Sequence, residues 1–418
     1  MSALLSETEA LARVLAGVPT LSSECVRLDE AAGRYCAAEL RARVALPGFD
    51  NSAMDGYALA RRTDGEGVGY SAGTIFTVIG EQPAGRSKGL RLQTASAEAV
   101  RVFTGATLPE ETGAVVMQEE VRRVGEQLTL LADVAPGEFI RRAGGDVCRG
   151  QRLLAAGERL TAPALALCAS QGLAEIEVGR APRVAILTTG DELRPPGEAA
   201  SLAAGEIFES NGILLEILAA EIAGSQNVIR LTHAPDEVAA LDAELQRGLG
   251  EEFDALIIAG GVSVGERDLV KARLQAAGVQ LDLWRVAVKP GKPFVYGRGP
   301  AVNGAAGVQV FGLPGNPVSA FVTFLLFVRP ALLKMAGANA AERTLPTVRA
   351  VAAAPLRNPG DRPHYLRGNV DSRGRFQAAG TQESHALGAL ARTRALARLE
   401  AGAQVAAGAD LPVLLWAS

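Results

Sequence analysis

The central part of the chain alternates between short apolar runs and segments with helical spacing. The apolar runs, each the length of one buried strand, are Val184–Thr188, Val228–Leu231, Ala255–Ala259 and Val308–Phe311. The stripes with helical spacing that follow them are Ile213–Ile222, Val238–Leu245, Leu269–Leu274 and Val318–Met335. Strands that alternate with helices predict right-handed β–α–β units and a parallel sheet with helices on both faces.

Shorter runs bounded by glycine and proline flank this central part. Ser6 and Glu9 predict a capped N-terminal helix that Pro19 ends, and Asp29 predicts a second helix over Leu28–Leu40. The runs that predict a β-rich domain are Ile75–Ile79, Ala99–Phe103, Ala114–Gln118 and Gln127–Leu131. The runs that predict a small terminal β-domain are Thr347–Ala352, Tyr365–Val370, Gln404–Ala406 and Val413–Leu415.

Composition narrows the class of protein. The 418 residues are 48% hydrophobic and 21% charged, which indicates a folded protein of several domains. A net charge of -4 without a Lys/Arg-rich run argues against nucleic-acid binding. The longest apolar stretch, Phe321–Val328, is too short to span a membrane, and no secretory signal is expected. The cysteine spacing suits neither zinc nor a disulfide framework, so we expect reduced thiols in a cytoplasmic protein.

Three glycine-bearing polar loops follow predicted strands. They are Thr188–Glu192, Gly260–Asp268 and Gly312–Pro317. In an open parallel sheet, ligands bind beyond the carboxyl ends of the strands. The loop from Gly260 precedes a helix, so its N–H groups can hold an anion. Asn316 is predicted to cap a further helix whose first residue is Pro317, which provides a second anion-binding helix start.

The acids of these loops suit a metal ion shared with a phosphate. Asp191, Glu192, Glu266 and Asp268 offer the oxygen ligands that Mg²⁺ prefers. Each loop alone is more often only a turn, but their joint placement after successive strands favours a phosphate ester or anhydride site. The turn from Lys289 to Lys292 can present two ammonium groups to one oxyanion, although a solvated turn is an equal alternative.

Several distinctive stretches occur along the chain: FDNSAMDGYA at 49–58, FTGATLP at 103–109, VVMQE at 115–119, TTGDEL at 188–193, ESN at 209–211, GGVSVGERD at 260–268, KPGKPF at 289–294 and GLPGNPVSA at 312–320. In these stretches and their order, the chain resembles the MoeA-type molybdopterin molybdenumtransferase family, which includes the E domain of gephyrin. One departure is Gly145, where the family more often has glutamate. The resemblance is specific over most of residues 1–330 and weaker beyond them.

The resemblance implies a fold of four domains. An elongated linker domain would comprise residues 1–26, 43–54 and 147–180, and a β-rich domain residues 27–42 and 55–146. A three-layer α/β molybdopterin-binding domain with a parallel-rich sheet would span 181–335. A C-terminal small β-barrel-like domain would span 336–418.

The family's activity is the insertion of molybdate into adenylylated molybdopterin, with hydrolysis to AMP and Mg²⁺ as the expected ion. The resemblance implies a cytoplasmic homodimer with a shared active site, neither nucleic acid nor membrane being a partner. Molybdopterin adenylyltransferase and molybdoenzyme maturation proteins are the expected protein partners. A gephyrin-like scaffold and a tungstate-inserting homologue are the alternatives.

Site residues carry over from the family position by position. The catalytic residues implied are Asp55, Thr104, Glu192, Asp236, Asp268, Lys289 and Lys292, of which Asp268, Asp236 and Glu192 would hold the metal. The residues implied to bind the pterin nucleotide or molybdate are Thr189, Gly190, Asp191, Ser210, Asn211, Gly260, Gly261, Ser263, Pro314, Gly315, Asn316, Pro317, Ser319, Arg367 and Ser384. Arg362 is the alternative to Arg367. Asp55 and Thr104 would come from the second subunit.

Overall fold

The computed structural model describes residues 4–62, 68–94, 96–198, 201–261, 269–301 and 307–416. They form two compact units, one of residues 39–154 and one that comprises the chain up to residue 38 and from residue 155 onward. The four predicted domain boundaries stay a prediction.

Strands occur in both units, whereas the α-helices of the described residues all lie outside residues 39–154. The helices are α1 Glu7–Gly17, α2 Ala162–Ser170, α3 Asn211–Ala223, α4 Val238–Gly248, α5 Leu269–Ala276, α6 Pro317–Thr323, α7 Arg329–Met335 and α8 Leu387–Leu390. The strands up to residue 154 are β1 Ser23–Arg27, β2 Leu40–Arg41, β3 Asn51–Ser52, β4 Gly56–Ala60, β5 Ile75–Gln82, β6 Glu98–Val102, β7 Thr112–Met117, β8 Val121–Val124, β9 Gln127–Leu130, β10 Ile140–Arg141 and β11 Arg152–Leu154. The later strands are β12 Glu175–Gly179, β13 Val184–Thr188, β14 Leu193–Arg194, β15 Ile207–Phe208, β16 Val228–Arg230, β17 Ala255–Ala259, β18 Gln280–Arg285, β19 Pro293–Arg298, β20 Gln309–Leu313, β21 Thr347–Ala352, β22 Leu356–Arg357, β23 His364–Val370, β24 Arg375–Ala378, β25 Ala395–Leu399, β26 Gln404–Val405 and β27 Asp410–Leu415.

The larger unit contains the predicted α/β sheet. Its strands lie in the order β16-β13-β17-β20-β19-β18. The first four are parallel, as the alternation of strands and helices predicts. The last two are antiparallel to their neighbours, so the sheet is parallel-rich rather than all parallel.

Side chains of each parallel strand alternate between two cores. Val184 and Ile186 pack in a core that also contains residues of α1, α3, α6 and α7. Ala185 and Leu187 pack on the opposite face, in a core that contains residues of α4 and α5. This alternation follows from the two-residue period of a strand. Helices therefore cover both faces, which confirms the three-layer architecture.

The helical stretch Pro317–Met335 packs in the first of these cores. It comprises α6, a π-helical segment Phe324–Val328 and α7. Its length and mean hydropathy of 1.7 would suffice to cross a membrane, but 89% of it is buried inside the protein. It is therefore a core helix of the α/β layer.

The N-terminal helix agrees with its prediction, whereas the second predicted helix is wrong. Ser6 and Glu9 form the capping box at the start of α1. Over Leu28–Leu40, only Leu28–Glu30 is helical, as a 3₁₀ turn. Gly33 then has a positive φ of 79°, and Tyr35 and Cys36 form β-bridges with Arg159 and Val178. Pairing with distant backbone replaces the local helix, and no local pattern shows this.

The unit of residues 39–154 is built on a six-stranded sheet. Its strands lie in the order β7-β4-β6-β5-β9-β8. Strand β4 is buried at all five positions, between β6 and β7. All four strands predicted from this part of the sequence are present, so the β-rich expectation is confirmed for residues 75–131.

The end of the chain forms a closed barrel. Its strands follow the order β21-β24-β23-β25-β27, and β21 pairs with β27 to close the circle. Alternate residues such as Leu366, Ala397 and Val413 fill its interior. This confirms the predicted C-terminal small β-barrel.

Candidate functional site

The strand order places a cleft at the carboxyl edge of the α/β sheet. From β13 the chain passes to β16 on one side and then returns to β17 on the other side. The chain therefore continues from β13 and from β17 towards opposite edges of the sheet, and such a switch point is where open α/β sheets bind ligands. These two loops and the loop after β20 line a cleft with a volume of about 590 Å³.

Two glycines let the loops after β13 and β17 approach each other. Gly260 has a φ of 100°, and a Cβ there would lie 2.4 Å from the Thr189 carbonyl oxygen. Gly261 has a φ of 63°, and its Cβ would lie 2.3 Å from Val270. L-residues rarely adopt such a backbone, and there is no space for a side chain. Peptide groups therefore form this part of the cleft wall.

Two buried polar atoms in the cleft wall have no partner within the described residues. They are Thr189 Oγ1 and Asn211 Oδ1. The Asn211 Nδ2 group donates a 2.7 Å hydrogen bond to the Gly315 carbonyl oxygen. This bond joins the first turn of α3 to the loop before α6. An unpaired buried polar atom costs free energy of folding, so a polar ligand that hydrogen-bonds to both atoms in the cleft would remove that cost.

Three acids cluster beside the cleft. Glu192 and Asp236 line it, and Asp191 Oδ1 accepts a 2.9 Å hydrogen bond from the Asp236 N–H group. Desolvation at the cleft wall, followed by the negative charges of Asp191 and Glu192, raises the pKa of Asp236. Ionised Asp236 is therefore in an unfavourable environment until a cation or a donor arrives.

We expect Asp236→Asn to raise the melting temperature at neutral pH. Because folding raises the pKa of Asp236, the wild type loses stability as the pH rises through that pKa, and the variant does not. The gain should vanish below the ordinary aspartate pKa of about 3.9, where the folded and unfolded states are both protonated. Thermal unfolding followed across pH measures it. Glu237→Gln removes the same charge from the next residue, and an equal gain there would contradict the argument.

A region rich in positive charge adjoins the cleft at Pro293. Pro293, which lines the cleft, follows the turn from Lys289 to Lys292. The Lys289 N–H group donates to the Pro363 carbonyl at 2.9 Å, and its carbonyl accepts from Tyr365 at 2.8 Å. This pairing joins the lysine turn to β23 of the barrel. No hydrogen bond or ion pair joins either ammonium group to another described residue.

Three further basic groups lie in that region. Burial, followed by the charges of Lys289, Arg367 and Arg362, lowers the pKa of His364 to about 4. Arg362 is already partnered, since its Nε pairs with Asp361 at 3.2 Å and its Nη1 donates to the Val288 carbonyl. The His364 imidazole is therefore neutral at neutral pH, and the three cations around it create a positive potential beside the turn.

Arg367 differs from Arg362 in its burial. Its exposed fraction is 0%. Its Nη2 donates to the carbonyl oxygens of Thr381 and Glu383 at 2.6 and 3.2 Å, while Nε and Nη1 are buried without a partner in the described chain. Ser384 follows this segment, and its carbonyl accepts from the Val318 N–H group in α6. Arg367, Ser384 and the start of α6 are thus brought together.

Most of the predicted pterin-nucleotide residues line one cleft. They are Thr189, Gly190, Ser210, Asn211, Gly260, Gly261, Pro314, Gly315, Asn316 and Pro317. Ser319 is buried in α6. Asn316 is the N-cap of α6 and Pro317 its first residue, as predicted, and the Asn316 side chain makes no capping hydrogen bond. Ser263 and Asp268 lie outside the described residues.

Asp55 and Thr104 belong to the unit of residues 39–154. Asp55 Oδ1 accepts hydrogen bonds from both the N–H and the hydroxyl group of Thr104, at 2.8 and 2.9 Å. These bonds lower the pKa of Asp55, which is therefore ionised at neutral pH. The two residues form one hydrogen-bonded pair, as their joint assignment implies.

Sequence reasoning missed several residues that line the cleft. Phe208 precedes the ESN stretch and is 42% exposed, which is unusual for so large an apolar side chain. His385 and Leu387 reach the cleft from the segment after the barrel strand β24. Phe208 could have been found as the neighbour of a matching stretch. His385 gave no local signal, because the fold of the terminal domain positions it.

Family comparisons cover nearly the whole chain. Residues 5–172 match the MoeA N-terminal region (domain I and II), and residues 349–416 match the MoeA C-terminal region (domain IV). Between them, residues 185–334 match a family described as "Probable molybdopterin binding domain". The three matches follow the order expected from the sequence.

Individual relatives agree with these matches. A molybdopterin molybdenumtransferase of Haemophilus influenzae is 35% identical over 399 residues, which are 93% of each chain. Gephyrin of Dictyostelium discoideum is 30% identical over 83% of this chain and 52% of its own length. The crystal structure of a molybdopterin biosynthesis MoeA protein from Pyrococcus horikoshii has a TM-score of 0.83 at 28% identity, over 99% of this chain and 100% of that one. The chain therefore belongs to the MoeA-type molybdopterin molybdenumtransferase family.

Proposed function

We propose that the protein inserts molybdate into adenylylated molybdopterin and releases AMP, which yields the molybdenum cofactor. The observation that carries this proposal is the joining of two sites in one unit. A switch-point cleft with unpaired Thr189 and Asn211 atoms suits a nucleotide. Beside it, the lysine turn and the unpaired donors of Arg367 suit a tetrahedral dianion. Relatives of the same length bear the corresponding name.

The nucleotide would bind along the carboxyl edge of the sheet. The residues at the starts of α3 and α6 line the cleft, where the helix dipoles favour phosphate oxygens. The Gly212 N–H group already donates to Glu209 Oε1, and the Val318 N–H group donates to the Ser384 carbonyl. Thr189 Oγ1 can donate to such an oxygen, and Asn211 Oδ1 can accept from a hydroxyl or amino group of the ligand. Gly260 and Gly261 allow a close approach to the peptide backbone.

Mg²⁺ fits this arrangement as an ion that arrives with the nucleotide. Within the described residues, no three acid, histidine or cysteine side chains converge to hold a metal alone. Mg²⁺ in such sites is usually held by one or two carboxylates together with substrate phosphate oxygens. Glu192, Asp236 and Asp268 are the residues we propose for it, and the ion would supply charge neutralisation at the anhydride.

The basic groups would hold molybdate beside the dithiolene. Lys289, Lys292 and Arg367 provide donors for its oxygens, and Ser319 and Ser384 lie in the adjoining segments. As the two thiol sulfurs bond to molybdenum, one oxygen leaves as water with both thiol protons. Water then cleaves the phosphoanhydride, so that AMP leaves and the cofactor keeps its phosphate. Because the phosphoanhydride is cleaved, the overall reaction is effectively irreversible.

The test is AMP release by the purified full chain given adenylylated molybdopterin, Mg²⁺ and molybdate. We expect stoichiometric AMP and cofactor from the wild type. Asp268→Asn should slow AMP release by roughly 100-fold, because one metal-held charge is lost, while nucleotide binding stays largely intact. Turnover unchanged by Asp268→Asn would contradict the metal role. An inactive wild type that still binds partner proteins would favour the scaffold.

Further properties belong to the same proposal. In a homodimer, Asp55 and Thr104 of a second subunit would complete the cleft. Molybdopterin adenylyltransferase would act before this protein in cofactor synthesis, and molybdoenzyme maturation proteins would act after it. The four cysteines are unpaired, which fits the cytoplasm. Molybdate and tungstate have the same shape and charge. Competition between the two oxyanions in the AMP assay therefore determines which metal the protein prefers to insert.

A further inference from the structure

Arg101, which has no part in the site residues considered so far, is held firmly in the unit of residues 39–154. It lies in β6 directly opposite Tyr57 of β4. Its guanidinium carbon is 5.0 Å from the centroid of the Tyr57 ring and 5.2 Å from that of Phe103. Its Nη2 donates to Gln118 Oε1. Contacts with two rings and an amide remove most of the rotamer freedom of a long side chain.

This arginine adjoins the Asp55–Thr104 pair. The Gln118 N–H group donates a 3.1 Å hydrogen bond to the Asp55 carbonyl, so the amide that holds Arg101 is itself joined to Asp55. After the two hydrogen bonds from Thr104, the charge of Arg101 contributes to the low pKa of Asp55. Arg101, Gln118, Asp55 and Thr104 therefore form one polar group.

The positive charge of Arg101 is not neutralised by an ion pair with any described residue. One of its nitrogens is used by Gln118, and guanidinium has five N–H donors in a fixed fork. A preorganised cation with free donors matches the geometry of a phosphate group. A purely structural arginine would more simply pair with a carboxylate.

We propose that Arg101 binds a phosphate group of the pterin nucleotide beside Asp55 and Thr104. The assignment rests on the proposed function, both in taking that nucleotide as the substrate and in having Asp55 and Thr104 of a second subunit complete the cleft. Phosphate is favoured over molybdate, because the buried donors of Arg367 and the lysine turn already provide a site for the second oxyanion. Thr104 donates both its hydroxyl and its N–H group to Asp55, so it would hold the Asp55 carboxylate in place beside Arg101 rather than bind the phosphate itself.

The test compares Arg101→Gln and Arg101→Lys with the matched control Arg123→Gln. Arg123 lies 6.0 Å from the same Tyr57 ring, but its Nε donates to the Gly125 carbonyl in its own turn. The control thus removes an equal charge near the same ring without touching Gln118. We expect Arg101→Gln to raise the KM for adenylylated molybdopterin about tenfold, with partial rescue by lysine and no change in the control.

Two measurements separate this inference from the proposed function. Binding of ADP to the full chain, followed by calorimetry, needs no turnover and should weaken about tenfold in Arg101→Gln. The KM for molybdate and the melting temperature should stay at wild-type values. A change in the molybdate KM instead, or a lower melting temperature with unchanged ADP binding, would overturn the assignment. If the wild type binds ADP through Arg101 but releases no AMP, only the proposed function fails.

Discussion

Arg367→Met is expected to reduce molybdate-dependent cofactor formation by about 10²–10³-fold, the loss typical of removing one preorganised donor to a developing charge. Arg367 is fully buried, and two of its nitrogens have no partner among the residues described. Burial also lowers its pKa. Such a charge is costly unless an anion joins it, which is why we propose Arg367 as a donor to molybdate.

Stability and activity should respond differently to this change. Methionine removes the hydrogen bonds to the Thr381 and Glu383 carbonyls, but it also removes a buried charge. These effects offset each other, so the melting temperature should change little. The measurements are the KM for molybdate in the AMP assay and thermal unfolding. Lysine at this position cannot reproduce the fork and should not restore activity.

Arg362→Met is the matched control for Arg367. The sequence left these two arginines as alternatives, and Arg362 already has partners in Asp361 and the Val288 carbonyl. We expect a much smaller rise in the molybdate KM for Arg362→Met. Equal losses in both variants would mean that the positive potential of the region matters, rather than the free donors of Arg367.

Gly56→Ala should destabilise the unit of residues 39–154 by about 3 kcal/mol or more, at the upper end for overpacking. A Cβ on Gly56 would lie 1.9 Å from the Val116 carbonyl oxygen and 2.9 Å from the Val116 carbonyl carbon. Both are backbone atoms of β7, which is hydrogen-bonded to β4. The strands can separate only if the sheet pairing breaks. Such a loss is a large part of the 5–15 kcal/mol that stabilises a typical domain.

Urea denaturation of the full chain measures this loss, with Gly125→Ala as the control. Gly125 has a φ of 63°, but a Cβ there meets no atom within 4 Å. Its substitution should cost only the backbone strain of about 1–2 kcal/mol. If both variants lose the same free energy of unfolding, then close packing against Val116 is not the reason that position 56 requires glycine.

Parts of the fold that depend on short-range pattern could be predicted. The bounds of β13 and β17 agree with the apolar runs, because strands buried on both faces are continuous apolar segments. The capping box at Ser6 is local and was also correct. The antiparallel direction of β18 and β19 was not predicted, although the two strands are close along the chain. The bridges of Tyr35 and Cys36 were not predicted because their partners, Arg159 and Val178, are far along the chain.

The sequence by itself determined which chemistry the protein brings to its site. The predicted strands are followed by chemically active residues: glycines at 260 and 261, acids at 191, 192 and 236, and lysines at 289 and 292. These residues were expected to lie together, because the carboxyl ends of parallel strands meet at one edge of a sheet. Tertiary structure decided the rest. The barrel buries Arg367, and the fold of the terminal domain places His385 in the cleft. The ion pair between Arg362 and Asp361 is likewise visible only in the tertiary structure. The physical reason is that burial and hydrogen-bond partnership are properties of the surroundings, which come from residues distant in the sequence.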